Sequence, residues 1–179
     1  MLAWGQVKSS RGAKRDQQGL GEVAQGLNLR LAKVSDASEI ATMSREFIES
    51  GLGWSWTPTR VTRSIQCPEA SVLVAHGKRM VGFAIMFFGT DKAHLNLLAV
   101  APAYRRAGLG CQLVLWLERS ALIAGISNVC VEVRARNRGA QAFYTHLGYR
   151  RIGRLPGYYR GRETAVRMAH ELRSSFANP

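Results

Sequence analysis

The chain has 179 residues, of which 46% are hydrophobic, and a formal net charge of +13. That length and apolar share suit one domain with a self-sufficient core and exclude a disordered or disulfide-stapled chain. Three cysteines, Cys67, Cys111 and Cys130, lack metal-ligand spacing and fit a reduced cytoplasmic protein without a metal, and the longest near-unbroken apolar run, Met80 to Phe88, is too short to span a bilayer.

In chain order, Met1 to Gly26 mixes Gly, Gln, Lys and Arg without an apolar period and reads as a mobile basic arm ahead of one domain, residues 27–179. Leu27 to Ala32 alternates as a first strand. Ser35 or Asp36 caps a helix running to Glu49. A loop follows from Gly51 to Pro58, and Thr57-Pro58 starts a short second helix ending near Gln66. Ser71 to His76 and Arg79 to Phe88 form a hairpin across Gly77-Lys78. Lys92 to Val100 is a fourth strand and Leu109 to Ala124 a long helix stopped by Gly125. Val129 to Arg134 is a fifth strand, and Asn137 caps a helix that closes at Gly148. Tyr149 to Leu155 and Thr164 to Leu172 are the last two strands, joined by a loop from Pro156 to Arg162. The order β-α-α-β-β-β-α-β-α-β-β predicts a mixed α/β sheet, its fourth and fifth strands parallel across a right-handed helical crossover.

The most informative stretch lies between the fourth strand and the long helix. An apolar strand ends at Pro102, a basic loop carries Arg105 and Arg106, and Gly108 and Gly110 open the helix. Helix-start amides lack intrahelical acceptors and sit at the positive end of the helix dipole, so this order builds an anion site. No Gly-Lys-Ser/Thr follows, which excludes a P-loop. Leu113 stands where a dinucleotide fingerprint needs a small residue. The positive charge asks for anionic partners. Arginine greatly outnumbers lysine, a composition bias, and no Arg/aromatic array makes nucleic acid the primary ligand.

The spacing Arg105-x-x-Gly108-x-Gly110 resembles the Gln/Arg-x-x-Gly-x-Gly/Ala signature of the GNAT superfamily of N-acetyltransferases. The later segment is similar to the ribosomal-protein-alanine N-acetyltransferases within it. It carries Val131-Glu132-Val133-Arg134, Asn137, Tyr144 ahead of Leu147-Gly148-Tyr149, then Tyr158-Tyr159 and Gly161-Arg162-Glu163. The likeness spans residues 27–172. It implies a GNAT fold of about seven strands with helices on both faces. The fourth and fifth strands would splay around the pantetheine arm of acetyl-CoA, the co-substrate. By the same likeness, Leu98, Ala99 and Val100 line that arm and the acetyl carbonyl. Arg105, Arg106, Ala107, Gly108, Leu109, Gly110 and Cys111 surround the diphosphate. Glu132 is the general base and Tyr144 the general acid, also touching the cofactor.

The residues carry readings of their own. Glu132 sits between Val131 and Val133, where an apolar setting raises a carboxyl pKa toward that of a competent base; otherwise it pairs with Arg134 on the same strand face. Tyr144 lies at the edge of a Phe143/Leu147 stripe, its hydroxyl toward the cleft, or else it is a core tyrosine. Asn137 bonds the cofactor arm, caps its helix, or does both. Cys111 occupies a first helical turn, a position that lowers a thiol pKa, and packs or contributes an amide. His94 relays a proton or is an edge histidine.

Trp54 and Trp56 on one loop, and Tyr158 and Tyr159 on another, are the expected acceptor walls. The likeness and the low pKa of an α-amine favour a protein N-terminus, for instance of a ribosomal protein. A small-molecule amine, a lysine, or a non-catalytic ribosome- or nucleic-acid-binding role are the alternatives.

Overall fold

Seven strands form the sheet: β1 (Asn28–Leu31), β2 (Ala70–His76), β3 (Met80–Phe88), β4 (Ala93–Val100), β5 (Asn128–Arg134), β6 (Arg150–Tyr159) and β7 (Glu163–Glu171). Among the described residues, four α-helices accompany them: α1 (Ala37–Phe47), α2 (Pro58–Gln66), α3 (Leu109–Ile123) and α4 (Arg138–His146). The computed structural model describes residues 26–172, so the expected arm, Gly26 apart, and the last seven residues lie outside the described residues. The strand order is β1-β2-β3-β4-β5-β7-β6. Neighbours are antiparallel except β4 and β5, which run parallel across the α3 crossover, as the element order predicts.

Two apolar clusters cover the two faces. Leu113, Val114 and Leu117 of α3 and Tyr144 of α4 pack with Leu73, Ala84, Val131, Val133 and Met168 on one side. Ile40, Ala41 and Met43 of α1 and Val61 of α2 pack with Val74, Phe83, Ile85 and Leu97 on the other. The helices start where their residues supply partners. Thr57 accepts a bond from the Arg60 amide, and Pro58 needs no donor in the first turn of α2. Asp36 stands at the N-cap of α1, but its carboxylate is engaged by Arg30 at 2.7 and 2.9 Å and by the Lys33 amide at 2.7 Å.

Three features depart from the sequence reading. The first helix ends at Phe47, not Glu49, because the buried Glu49 carboxylate turns inward to gather the following loop. It accepts from the amides of Ser55 (2.7 Å) and Trp56 (3.1 Å) and from the Ser44 hydroxyl (3.2 Å). Strand β6 runs through Pro156 to Tyr159 instead of stopping at Leu155, so the expected 156–162 loop shrinks to a tight turn. An edge strand tolerates a proline, and the pairing is irregular between Leu155 and Tyr159. Finally, β4 contains a bulge. Ile85 pairs with Leu97 and Met86 with Leu95, which leaves Asn96 unpaired.

That extra residue flips the alternation. Ala93 and Leu95 join the α3 side, whereas Leu97 and Ala99 join the α1/α2 side.

Helix α4 ends in a glycine with φ of +93°, where L side chains are strained. A Cβ on Gly148 would also lie 2.9 Å from His170 Nε2. We expect Gly148→Ala to lower stability by about 1–3 kcal/mol in urea denaturation. An unchanged midpoint would show that the α4–β6 junction yields freely.

Candidate active site

Strand pairing sets the geometry here. β4 and β5 are in register only at Ala93–Val129, His94–Cys130 and Leu95–Val131, and beyond these residues they part. On the other side of β4, the Ala101 amide bonds to Val81 O at 2.8 Å, which makes Ala99 and Leu97 the residues bonded to β3. The backbone groups of Leu98 and Val100 therefore face the gap. One of them has a protein partner: Arg105 Nε donates to Val100 O at 2.9 Å.

The gap leads to the start of α3. The first amide of this helix to bond back is that of Gln112, to Gly108 O at 3.0 Å, so the amides of Leu109, Gly110 and Cys111 are free for an anion. Gly108 has φ of +80° and Arg106, unusually for a side-chain-bearing residue, +65°. A Cβ on Gly110 would lie 3.4 Å from the Phe143 ring and 3.7 Å from Val100 Cγ2, so the ends of β4, α3 and α4 converge on this turn. Arg106 is exposed beside it. Arg105 is folded back over β4 and the Phe47 ring, 5.6 Å away, rather than held out at the rim.

Glu132 lies just past the point where the strands part. Its side chain is 5% exposed, and Arg167, opposite it on β7, donates to Oε1 at 2.7 Å. His94 Nε2 bonds Oε2, and the Tyr158 hydroxyl lies 3.5 Å from the same oxygen. Burial alone would raise this carboxyl, but the bonds from His94 and Arg167 outweigh it, and the pKa is lowered. This corrects the expected raised base. Nor does Glu132 pair with Arg134, which lies beside Glu163 (3.6 Å) and donates to Ser50 O at 2.9 Å.

Tyr144, not Phe143 or Leu147, is buried on the α4 face together with Gln141, lying edge-on to Phe143 and Tyr149 at ring separations of 5.1 and 5.2 Å. Burial pushes its pKa up, and its hydroxyl has no hydrogen-bond partner among the described residues. Asn137 caps α4 by accepting from the Ala140 amide at 3.0 Å. The Cys111 thiol is raised, against expectation, because burial and the nearby Glu118 oppose its ionisation.

The four aromatic residues expected at the acceptor side divide. Trp56 is buried beneath Arg60 and belongs to the core. Trp54 is 39% exposed, lies against Arg45, and donates to Trp56 O at 3.0 Å. Tyr159 donates to Glu132 O at 3.1 Å, while Tyr158 is 46% exposed near the carboxylate. The loop after α1 and the β6–β7 turn meet, since a Cβ on Gly53 would lie 3.1 Å from the Arg160 guanidinium. Five further arginines sit elsewhere, around shallow hollows rimmed by Arg138, Arg151 and Arg154 and by Arg136, Arg154 and Arg162.

Sequence reasoning named Glu132 and left His94 open. It missed Arg167, whose only signal is its place on a strand opposite Glu132. Among the described residues no cluster of His, Cys, Asp or Glu is placed to hold a metal ion, and no helix is long and apolar enough to cross a membrane.

The model of the acetyltransferase (GNAT) family matches residues 39–149. The chain is 39% identical over 100 residues to the [ribosomal protein bS18]-alanine N-acetyltransferase of Escherichia coli K12, covering 54% of this chain and 67% of that protein. The crystal structure of the ribosomal-protein-S18-alanine N-acetyltransferase from Escherichia coli superposes with a TM-score of 0.72 at 25% identity, covering 86% of this chain and 98% of that one. The PaiA N-acetyltransferase of Thermoplasma acidophilum, solved in complex with coenzyme A, shares the fold at 18% identity and a TM-score of 0.68, with coverage of 81% and 98%.

The lowered pKa has a consequence for stability. An ionised Glu132 stabilises the fold fully above the ordinary carboxyl range, and that contribution is lost as pH falls through the lowered folded value. Glu132→Gln should therefore show a shallower fall in Tm than the parent below about pH 4.3. Parallel Tm curves in calorimetry would mean that His94 and Arg167 do not stabilise the carboxylate.

Proposed function

The chain belongs to the acetyltransferase (GNAT) family, and on that premise we propose that it transfers the acetyl group of acetyl-CoA to the α-amine at a protein N-terminus. The observation that carries this reading is the gap between β4 and β5. Outward-facing backbone groups of Leu98 and Val100 line one wall, free α3 amides lie at one end, and the Glu132 carboxylate stands at the vertex.

These groups fit a long anionic thioester. The amides of Leu109, Gly110 and Cys111, with Arg106 beside them, suit a diphosphate. The groups of Leu98 and Val100, flanking Ala99, suit an amide-bearing arm, with Asn137 at the start of α4 as a further partner. Acetyl-CoA supplies an activated acyl carbon and a thiolate leaving group. An outward N–H on β4 stabilises the carbonyl oxygen as charge develops. The ionised Glu132 attracts an incoming ammonium. Tyr144 keeps its proton at neutral pH and hands it to the departing thiolate. The free cysteines Cys67, Cys111 and Cys130 fit reduced cytoplasm.

The acceptor side lies between the loop after α1 and the β6–β7 turn, with Trp54 and Tyr158 exposed there and Trp56 and Tyr159 holding the walls in place. The bS18-alanine enzyme it resembles acts by name on an alanine of a ribosomal protein, which favours a small acceptor residue. An α-amine is also easier to deprotonate than lysine by over two pKa units, roughly a hundredfold in neutral fraction.

An Ala-initiated peptide should outcompete the same peptide carrying a blocked N-terminus and a free lysine, with mass spectrometry locating the acetyl group. Labelling of lysine, or activity confined to small amines, would replace the N-terminal reading with that acceptor.

Tyr144→Phe keeps the ring and removes only the hydroxyl. We expect unchanged acetyl-CoA binding in calorimetry, turnover slower by about 10²-fold, and partial rescue by a thioester with a better leaving group. Equal single-turnover rates for variant and parent would remove Tyr144 from the chemistry.

A further inference from the structure

We propose that His94, not Glu132, takes the proton from the acceptor ammonium, and that Glu132 and Arg167 hold its ring for that task. This inference deepens the acetyltransferase reading and rests on it. Three observations carry it.

The first is who faces the cleft. The His94 side chain is 34% exposed, whereas the Glu132 side chain it touches is only 5% exposed. An amine entering from solvent meets the imidazole more readily than the carboxylate behind it.

The second is the bonding at Glu132. Oε1 accepts from Arg167 Nε at 2.7 Å, and Oε2 is taken by His94 Nε2 with Tyr158 at 3.5 Å. A carboxylate so held is an acceptor only, so Nε2 must carry the hydrogen of that bond. In the neutral ring the lone pair then resides on Nδ1, which has no protein partner among the described residues. The arrangement is a base oriented by an anion behind it.

The third is placement. His94 precedes the Asn96 bulge, and its neighbours Ala93 and Leu95 point to the α3 side. His94 therefore lies on the opposite face, with Glu132 and Arg167, where β4 and β5 begin to part. Its surroundings are defined: Glu132 and its register partner Cys130 on β5, Arg167 on β7 through Glu132, Tyr158 on β6, and the uncharged Phe87 opposite on β3.

The step balances as follows. Nδ1 takes one proton from the ammonium, and the freed nitrogen lone pair forms the N–C bond to the acetyl carbon. As the tetrahedral adduct collapses, the C–S bond breaks and its electron pair leaves on the CoA thiolate. Tyr144 protonates that thiolate, and the second proton of the nitrogen returns the tyrosinate to tyrosine. The imidazolium releases its proton to solvent through its exposed side. No oxidant or metal is required.

The test is the pH dependence of kcat/KM for peptide acetylation by the full chain and by His94→Gln. The variant should bind acetyl-CoA as the parent does. It should lose about 10²-fold in kcat/KM near pH 6.5. The loss should shrink as pH passes the α-amine pKa near 8, where the acceptor sheds its proton unaided. A loss below about threefold, or one constant across the pH range, overturns the assignment. A second measurement needs no variant. In histidine-ring nitrogen NMR of the parent, the neutral ring of His94 should carry its hydrogen on Nε2, and hydrogen on Nδ1 instead overturns it. A small amine used as acceptor gives the same pH test, so failure of the N-terminal reading is seen separately. A parent that acetylates no amine overturns both.

Discussion

The parting of β4 from β5 is the constraint on which the rest of this molecule depends. Two parallel strands joined by a buried crossover would ordinarily pair along their length, because an unpaired backbone group kept from water costs about 1–3 kcal/mol. Here pairing stops after Leu95 and Val131. The bulge at Asn96 helps to end it, since the added residue bends and twists the strand. The backbone beyond it is left needing partners from water or from a ligand. Arg105 satisfies one of these groups, Val100 O, from the adjoining loop. The gap is thus a polar slot within an apolar sheet, open where α3 begins.

The same parting explains the charge at the vertex. Glu132 is the first β5 residue past the paired stretch, and its carboxylate is almost entirely buried. An isolated carboxylate there would keep its proton. Arg167, fixed opposite it across the β5–β7 ladder, and His94, on the last paired stretch of β4, reverse that preference. Removing either partner leaves a buried carboxylate less well compensated, which costs more than the pair itself contributes. The three residues therefore act as a unit, and a carboxylate in this setting is better suited to holding a cation than to taking a proton.

Much of the fold was legible because local signals agreed. Alternation marked the strands, Thr57-Pro58 and Asn137 marked helix starts, and the basic glycine loop marked the start of the long helix with its free amides. What was not legible depended on partners far along the chain. Glu132 meets His94 across 38 positions and Arg167 across 35, so no local pattern shows that two hydrogen-bond donors offset its burial. Phe143 and Tyr144 are adjacent aromatics on one helix, and the sheet residues that Tyr144 joins, Val131, Val133 and Met168 among them, decide which is buried. The Asn96 bulge has a single polar residue in an apolar run as its trace. Glu49 likewise looked like a helix terminus because its bonding partners, Ser55 and Trp56, lie in the loop that it organises.

That loop links the acceptor side to the vertex. Glu49 fixes it from within, while Arg134 holds Ser50 O and Arg160 lies against Gly53 from without. Arg134 stands two residues beyond Glu132 on the same face of β5. Tyr159, at the base of the opposing turn, donates to the Glu132 carbonyl itself. Both arms of the cleft are therefore anchored on the strand that carries the buried carboxylate. A shift of either arm strains the backbone under Glu132, and a change in the Glu132 cluster is felt at the width of the cleft. The width of the cleft and the orientation of the His94 ring are therefore set together, because the anchors of both arms and the carboxylate that bonds the ring share one strand.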